Sequence, residues 1–70
     1  MQADRLKERR TNKGLTQKNV AEFLGITEHG YQNYEIGKQE PRLDMLIKLA
    51  THLDTSSDYL LGLSDDPGKR

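Results

Sequence analysis

Short breaks divide this chain into five segments, each of them long enough for a helix. Glycine, proline and polar residues that favour turns cluster at positions 13–14, 25, 37–41, 54–56 and from 64 onward. Between the breaks, apolar residues recur every three or four positions, as on one face of a helix, and strand-like alternation does not occur. The pattern predicts an all-α protein whose five helices cover about 3–12, 17–24, 28–35, 43–53 and 56–62.

The length and composition of the chain suit one small domain. Seventy residues are near the lower limit for a single core, and no cysteine is present to form a disulfide. A core made mostly of leucine, isoleucine and valine, in a chain that is 33% apolar, must therefore hold the fold together. We expect one domain at 1–63 and a disordered tail at 64–70, because the tail is polar and contains proline and glycine.

Several classes of protein are disfavoured by the sequence. The longest apolar runs are a few residues, and the polar N-terminus lacks the apolar stretch of a signal peptide, so a cytoplasmic location is expected. His29 and His52 are isolated and there is no cysteine, so we predict neither a metal site nor a cofactor. We do not expect an enzyme, because no nucleophile–base pair, paired carboxylates or phosphate-binding loop occurs.

The net charge of zero conceals two parts of opposite charge. Residues 1–18 carry six basic and two acidic side chains, whereas residues 19–70 carry five basic and nine acidic ones. The first part therefore has a net charge of +4 and the second a net charge of −4. Because a basic end attracts DNA even in a neutral chain, the overall charge does not exclude a nucleic-acid partner.

The second and third helices have the spacing of a helix-turn-helix. Thr16 is suited to cap the second helix and Thr27 the third, because a threonine hydroxyl accepts hydrogen bonds from backbone amides at a helix start. Ala21 is small where the two helices would cross, and Gly25 readily takes the conformation that the turn needs. Phe23 lies off the apolar stripe, so we expect it to be half exposed at the edge of the core.

The third helix has two distinct faces. At about 100° per residue, Tyr31 and Tyr34 fall on an inner face with Thr27 and Gly30, and we interpret Gly30 as room for the second helix. The outer face carries four polar side chains: Glu28, His29, Gln32 and Asn33. Glutamine and asparagine can bond adenine, and glutamate can accept from the cytosine amino group. This face can read bases, or it can be an ordinary solvated face.

The stretch GLTQKNVAEFLGITEHGYQNYEIGKQEP resembles the phage-repressor-like (Cro-type) helix-turn-helix family. The resemblance continues through LDMLIKLATHLDTSSDYLLG, so that it covers about Leu6 to Gly62. Each short motif is weak by itself, whereas the whole string is specific. The resemblance implies a compact five-helix bundle of the lambda-repressor-like DNA-binding type, which binds operator DNA.

The resemblance also implies which residues contact DNA. Five side chains fall where the family's recognition helix meets the bases: Thr27, Glu28, His29, Gln32 and Asn33. Gln17, at the start of the second helix, falls where the family bonds a phosphate. Lys38, with the amides of the Ile36–Gly37 loop, is placed for the DNA backbone. Arg10 and Glu35 resemble the family's partly buried ion pair between the first and third helices, and we assign them a structural role.

A homodimer on double-stranded DNA is expected by the same resemblance, because the family commonly binds as a symmetric dimer. Two domains related by a two-fold axis present recognition helices about 34 Å apart. We expect the fifth helix and the end of the fourth to join them, although each candidate can instead close the monomer's core. The candidate contact residues are Leu53, Thr55, Tyr59 and Leu63.

Two functions of different classes remain open at this stage. The first is a sequence-specific transcriptional regulator, a repressor, that reads operator DNA in the major groove with its third helix. The antitoxin of a toxin pair and the controller of a restriction system fit the same resemblance. The alternative is a protein-interaction module that kept the fold without DNA binding, which the acidic second part and Glu28 would allow.

Overall fold

The computed structural model describes residues 1–68 and contains five helices and no strand within that range, which confirms the predicted all-α fold. Lys69 and Arg70 lie outside the described residues. The helices are α1 (Ala3–Asn12), α2 (Gln17–Leu24), α3 (Glu28–Glu35), α4 (Leu43–His52) and α5 (Ser57–Leu61). The ends of α1, α2 and α3 agree with the sequence prediction. Helix α4 is one residue shorter than predicted, and α5 is one residue shorter at each end. None of the helices in residues 1–68 is both long enough and apolar enough to span a membrane.

Side chains from all five helices meet in one core. Leu6 of α1, Val20 of α2 and Leu60 of α5 are completely inaccessible to solvent, and Tyr31 of α3 is the largest fully buried side chain. Helix α2 packs on α3 and α4, while α1 packs on α3 and α5. The core therefore fixes α2 and α3 as a pair supported from both sides by α1 and α4.

Hydroxyl caps start three of the helices. The Thr16 hydroxyl accepts from the Asn19 amide at 3.0 Å, and the Asn19 side-chain oxygen accepts from the Thr16 amide at 3.1 Å. The Thr27 hydroxyl accepts from the Gly30 amide at 3.0 Å. Each bond satisfies an amide at a helix start that has no partner within the helix, so the predicted caps of α2 and α3 are confirmed.

The start of α5 differs from expectation. The spacing of Thr55 and Asp58 in the sequence resembles a capping box and predicts that Thr55 caps α5, but the Ser56 hydroxyl caps the helix by accepting from the Tyr59 amide at 3.1 Å. Thr55 is only 1% exposed, and its hydroxyl donates to the Pro67 carbonyl at 2.7 Å. The capping-box prediction is therefore wrong by one residue, because Thr55 is drawn into the core.

The turn between α2 and α3 depends on Gly25. This residue has a φ of +76°, in the left-handed region that residues with a Cβ rarely adopt. The next amide, that of Ile26, then donates to the Ala21 carbonyl at 3.0 Å and closes the end of α2. The turn thus sets the angle at which α3 leaves α2.

Gly30 has a different role from the one predicted. A Cβ placed there would lie 3.1 Å from the Thr27 hydroxyl, and it would meet no other atom within 4 Å outside its own helix backbone and neighbours. The interpretation of Gly30 as room for α2 is therefore wrong. The missing side chain leaves space for the Thr27 hydroxyl, which caps α3 by accepting from the amide of Gly30 itself.

The buried stripe of α4 is rotated from the one that the helical spacing of the sequence predicts, which contains Leu43, Leu46, Ile47, Ala50 and Leu53. Leu46 and Ala50 are buried as expected, and Leu49, which the predicted spacing omitted, is completely buried. Leu43 and Ile47 instead have 72% and 51% of their surface exposed. The periodicity correctly predicts an amphipathic helix, but the neighbouring helices decide which part of a broad apolar stripe is covered.

Residues 64–68 contact the helices. The Arg5 guanidinium donates to the Ser64 carbonyl and to the Asp65 carboxylate, both at 2.7 Å. The Pro67 carbonyl accepts from the Ser56 amide at 2.6 Å. The disorder predicted for 64–70 concerns motion in solution and stays a prediction, and its last two residues are outside the described range.

We predict that Thr16→Ala lowers the free energy of unfolding by about 1 kcal/mol, because the amide at the start of α2 loses its hydroxyl partner. Chemical denaturation followed by circular dichroism measures this change. Thr16→Ser, which keeps the hydroxyl, is the matched control and should remain close to the wild type. Equal losses in the two variants would show that the cap hydrogen bond is not the cause.

Candidate nucleic-acid interface

Helix α3 is anchored by its two tyrosines. Tyr31 is fully buried, and its ring meets that of Tyr34 edge to face, with ring centroids 6.3 Å apart and an interplanar angle of 87°. This confirms that the two tyrosines lie on the inner face, whereas Thr27 is exposed and Gly30 is partly exposed. On the outer face, Glu28 and His29 are exposed, whereas Gln32 and Asn33 are partly covered.

A buried carboxylate, that of Glu35, joins α3 to the two helices before it. Glu35 accepts from the Arg10 Nε at 2.5 Å, from the Tyr31 hydroxyl at 2.6 Å and from the Gln17 Nε2 at 3.0 Å. The Glu35 side chain is 2% exposed and that of Arg10 is 12% exposed. Arg10 also donates to the Leu15 carbonyl at 2.8 Å. The expected ion pair between α1 and α3 is therefore present, and it also includes α2.

The hydrogen bonds around Glu35 keep its carboxylate charged. Burial by itself raises the pKa of this carboxyl, but hydrogen bonds from Arg10, Tyr31 and Gln17 favour the ionised form and leave the pKa below its ordinary value. Burial and the bond to Glu35 raise the pKa of the Tyr31 phenol, which stays protonated as a donor. The cluster is thus one anion surrounded by three donors.

Gln17 lies within this cluster and also reaches the outer face of α3. Its Nε2 donates to Glu35, and its Oε1 accepts from the Gln32 Nε2 at 3.1 Å. Sequence reasoning placed both glutamines at the interface but did not foresee this bond between them. The structure therefore brings the predicted phosphate contact and a predicted base contact together in one hydrogen-bonded pair.

The loop after α3 exposes the Lys38 side chain, whereas its first backbone amides are hydrogen-bonded within the protein. The amides of Ile36 and Gly37 donate to the carbonyls of Gln32 and Tyr34, at 3.0 and 3.2 Å. The expectation that these amides are available to the DNA backbone is therefore wrong. The Lys38 side chain is exposed, while its amide donates to the Asn33 carbonyl at 2.9 Å. The contact expected of this loop consequently depends on the Lys38 ammonium.

Part of the basic charge of α1 is used inside the protein. Arg5 lies over the Tyr59 ring at 4.2 Å and bonds to residues after α5, and Arg9 donates to the Asp54 carbonyl at 3.3 Å. Lys7 and Lys13 are exposed. At α1 and its C-cap, the lysines, more than the arginines, therefore present positive charge to solvent.

Three of the four candidate dimer residues belong to the monomer's own core. Leu53 is completely buried, Thr55 is 1% exposed and Tyr59 is 8% exposed. Only Leu63, at 76% exposed, is accessible among the four. For the first three, the structure therefore supports the alternative left open by the sequence, that they close the monomer's own core.

An aromatic stack lies outside the predicted interface. Phe23 is 50% exposed, which confirms the expectation, and its ring stacks on that of His52 with centroids 3.9 Å apart. Burial and the nearby Lys13 ammonium lower the pKa of His52. The stack joins the end of α2 to the end of α4, and no sequence pattern indicated the pairing.

Comparison with known proteins agrees with this geometry. The family model described as helix-turn-helix matches residues 6–60. The SPbeta prophage-derived uncharacterized HTH-type transcriptional regulator YonR of Bacillus subtilis is 54% identical over 61 residues. That match covers 87% of this chain and 56% of YonR, so the chain spans about half the length of this relative.

Two solved structures share the fold. The P22 c2 repressor in complex with a synthetic operator has a TM-score of 0.80 and 25% identity, covering 86% of this chain and 91% of that one. The biofilm regulator SinR in complex with DNA has a TM-score of 0.77 and 31% identity, covering 87% and 98%. The predicted lambda-repressor-like architecture is confirmed by these likenesses.

We predict that Glu35 makes the stability of the fold depend on pH in the acid range. Because the folded pKa of Glu35 lies below its ordinary value of 4.5, its stabilising contribution is complete above that value and is lost as the pH falls through the folded pKa. Chemical denaturation of the wild type and Glu35→Gln should show a difference in unfolding free energy that narrows below pH 4.5. A difference that stays constant down to low pH would contradict the assignment.

Proposed function

Because the chain belongs to the phage-repressor-like helix-turn-helix family, we propose that it is a sequence-specific DNA-binding regulator of transcription, acting as a repressor. The observation that carries the proposal is the outer face of α3. Its four polar side chains project from a helix that a buried ion pair and two tyrosines hold in place. The two DNA-bound proteins of the same fold support the proposal.

The shape of α3 suits the major groove. This groove is about 12 Å wide and admits one α-helix, whose N-terminal residues meet the base edges. Helix α3 has eight residues, and its first two, Glu28 and His29, are exposed. The next turn brings Gln32 and Asn33 to the same face.

The chemistry of the outer face suits base reading. Gln32 and Asn33 carry the paired donor and acceptor that bond adenine, and Glu28 can accept from the cytosine amino group. His29 can donate or accept. Thr27 is exposed, but its hydroxyl is occupied as an acceptor in the cap of α3. We therefore propose Thr27 as a contact through its methyl group or its hydroxyl hydrogen.

Two further residues are proposed to hold the DNA backbone. Lys38 is exposed just after α3 and supplies an ammonium group for a phosphate. Gln17 is the first residue of α2, where the helix dipole favours an anion. A phosphate contact positions the protein and carries no sequence information itself.

We further propose that the protein acts as a homodimer on DNA, in the cytoplasm. One domain reads a few base pairs, and a two-fold axis doubles the contacts while placing the two α3 helices about 34 Å apart. The exposed apolar side chains at the end of α5, Leu61 and Leu63, are 39% and 76% exposed and are candidates for the contact.

Selection of bound sequences from random double-stranded DNA tests the proposed function. We expect a short preferred sequence arranged as an inverted repeat, with half-sites about one helical turn apart. Recovery without any preferred sequence would contradict specific recognition. If the protein also showed no salt-dependent affinity for DNA, the protein-interaction alternative would replace the proposal.

We predict that Gln32→Ala and Asn33→Ala each weaken binding to the selected sequence by about 1–3 kcal/mol, because each removes a bidentate base contact. Lys38→Ala should weaken binding to all sequences alike, because a phosphate contact carries no sequence information. Titrations of the selected duplex and of an unrelated duplex measure both effects. Unchanged affinity in the first two variants, with the fold intact, would reject their role.

A further inference from the structure

Three polar side chains form a chain of hydrogen bonds from the protein interior to the outer face of α3. It begins at the Glu35 carboxylate, passes through the Gln17 amide and ends at the Gln32 amide, with bonds of 3.0 and 3.1 Å. Glu35 is 2% exposed at the inner end, and Gln32 is partly exposed at the outer end. The three residues come from α2 and α3, so the chain crosses the contact between the two helices.

The carboxylate fixes the direction of this chain. An ionised carboxylate only accepts hydrogen bonds, so Gln17 must turn its NH2 group towards Glu35 and its oxygen towards Gln32. Gln32 must then offer its NH2 group to Gln17. If either amide were reversed, two NH2 groups or two oxygens would face each other. The orientation of both amides thus follows from the charge of Glu35.

Glu35 is itself firmly placed. Arg10 and Tyr31 donate to the same carboxylate, and Arg10 is held in turn by the Leu15 carbonyl. A buried anion with these partners has little freedom to rotate. The inner end of the chain is therefore rigid, whereas Gln32 would otherwise be a flexible side chain on the surface.

We propose that Glu35 is a positioning residue for DNA reading, which acts through Gln17 to set the orientation of the Gln32 amide. With one N–H committed to Gln17, Gln32 keeps its second N–H and its oxygen, the two groups that bond N7 and the N6 amino group of adenine. Gln17 is accordingly a specificity-determining residue as well as a phosphate contact. This inference rests on the proposed function of α3.

Preorganisation explains why the hydrogen-bonded relay from Glu35 through Gln17 to Gln32 would affect specificity. A glutamine loses rotamer freedom when it is fixed against a base, and that loss weakens binding. In this protein, the hydrogen bond to Gln17 already removes part of the rotamer freedom of Gln32 before DNA binds. Removing the relay therefore weakens the preference for the base that Gln32 reads, without deleting any group that touches that base.

The test compares discrimination and not affinity alone. The discrimination ratio of each variant is the Kd for a changed duplex divided by the Kd for the selected duplex. The changed duplex differs at the base pair for which Gln32→Ala loses its preference. Gln17→Met keeps the length of the side chain and removes both hydrogen bonds, and it should lower this ratio about threefold to tenfold. Lys38→Ala is the matched control and should leave the ratio unchanged while weakening both duplexes.

A double-mutant cycle isolates the coupling between the glutamines. In a Gln32→Ala background, Gln17→Met should no longer change the ratio, because the amide that it positions is absent. A ratio that falls equally in both backgrounds would overturn the relay. So would a Gln17→Met variant that weakens both duplexes alike, as Lys38→Ala does.

A measurement without DNA tests the role of Glu35 directly. Glu35→Gln keeps the shape of the side chain but replaces one acceptor oxygen with an NH2 group, so residue 35 no longer accepts at both positions and no longer fixes the direction of the Gln17 amide. The side-chain amide signals of Gln32 should shift in NMR spectra and exchange faster with water, in a variant shown to be folded by circular dichroism. Unchanged Gln32 signals would overturn the relay. A wild-type protein without any preferred DNA sequence would instead overturn the proposed function.

Discussion

The buried carboxylate of Glu35 is the interaction on which the rest of the structure depends. It accepts hydrogen bonds from α1, α2 and α3 at once, through Arg10, Gln17 and Tyr31. Removing one partner of a buried ion pair leaves an uncompensated charge, which costs about 3–5 kcal/mol. In a domain of this size, that is a large part of the total stability. The three helices are therefore held in one relative arrangement, and α3 cannot shift without disturbing the other two.

The cluster around Glu35 helps to stabilise α3, a helix of low intrinsic stability. Helix α3 has eight residues with a glycine inside, whereas isolated helices shorter than about 12 residues are marginal in water. The helix is ordered by the Thr27 cap, by the buried Tyr31 and Tyr34, and by the hydrogen bond that Glu35 accepts from Arg10. These contacts all lie on the inner face or at the ends of α3. The polar side chains of the outer face are therefore not among the contacts that order the helix. The contacts that anchor α3 and the side chains proposed to read DNA thus lie on different faces of one short helix, linked through Gln17.

The sequence predicted local features well and tertiary ones less well. The ends of α1, α2 and α3 were predictable because turn and cap residues, such as Gly25 and Thr16, act on their own backbone. The exposure of Ile47 was not predictable, because it depends on how far the neighbouring helices cover α4. Whether Thr55 closes the core or joins a partner was left open for the same reason. The pairing of Gln17 with Gln32 could not be inferred from spacing, because either amide has many possible partners.

Direct observation of the protein on its selected duplex tests the central claim, that the Glu35 cluster holds α3 with its outer face towards the bases. NMR of the labelled complex gives the contacts between side chains and nucleotides. We expect contacts from Gln32 and Asn33 to base edges in the major groove, with Tyr31 and Glu35 still buried and bonded. Contacts from other helices alone, with the outer face of α3 turned to solvent, would contradict the account.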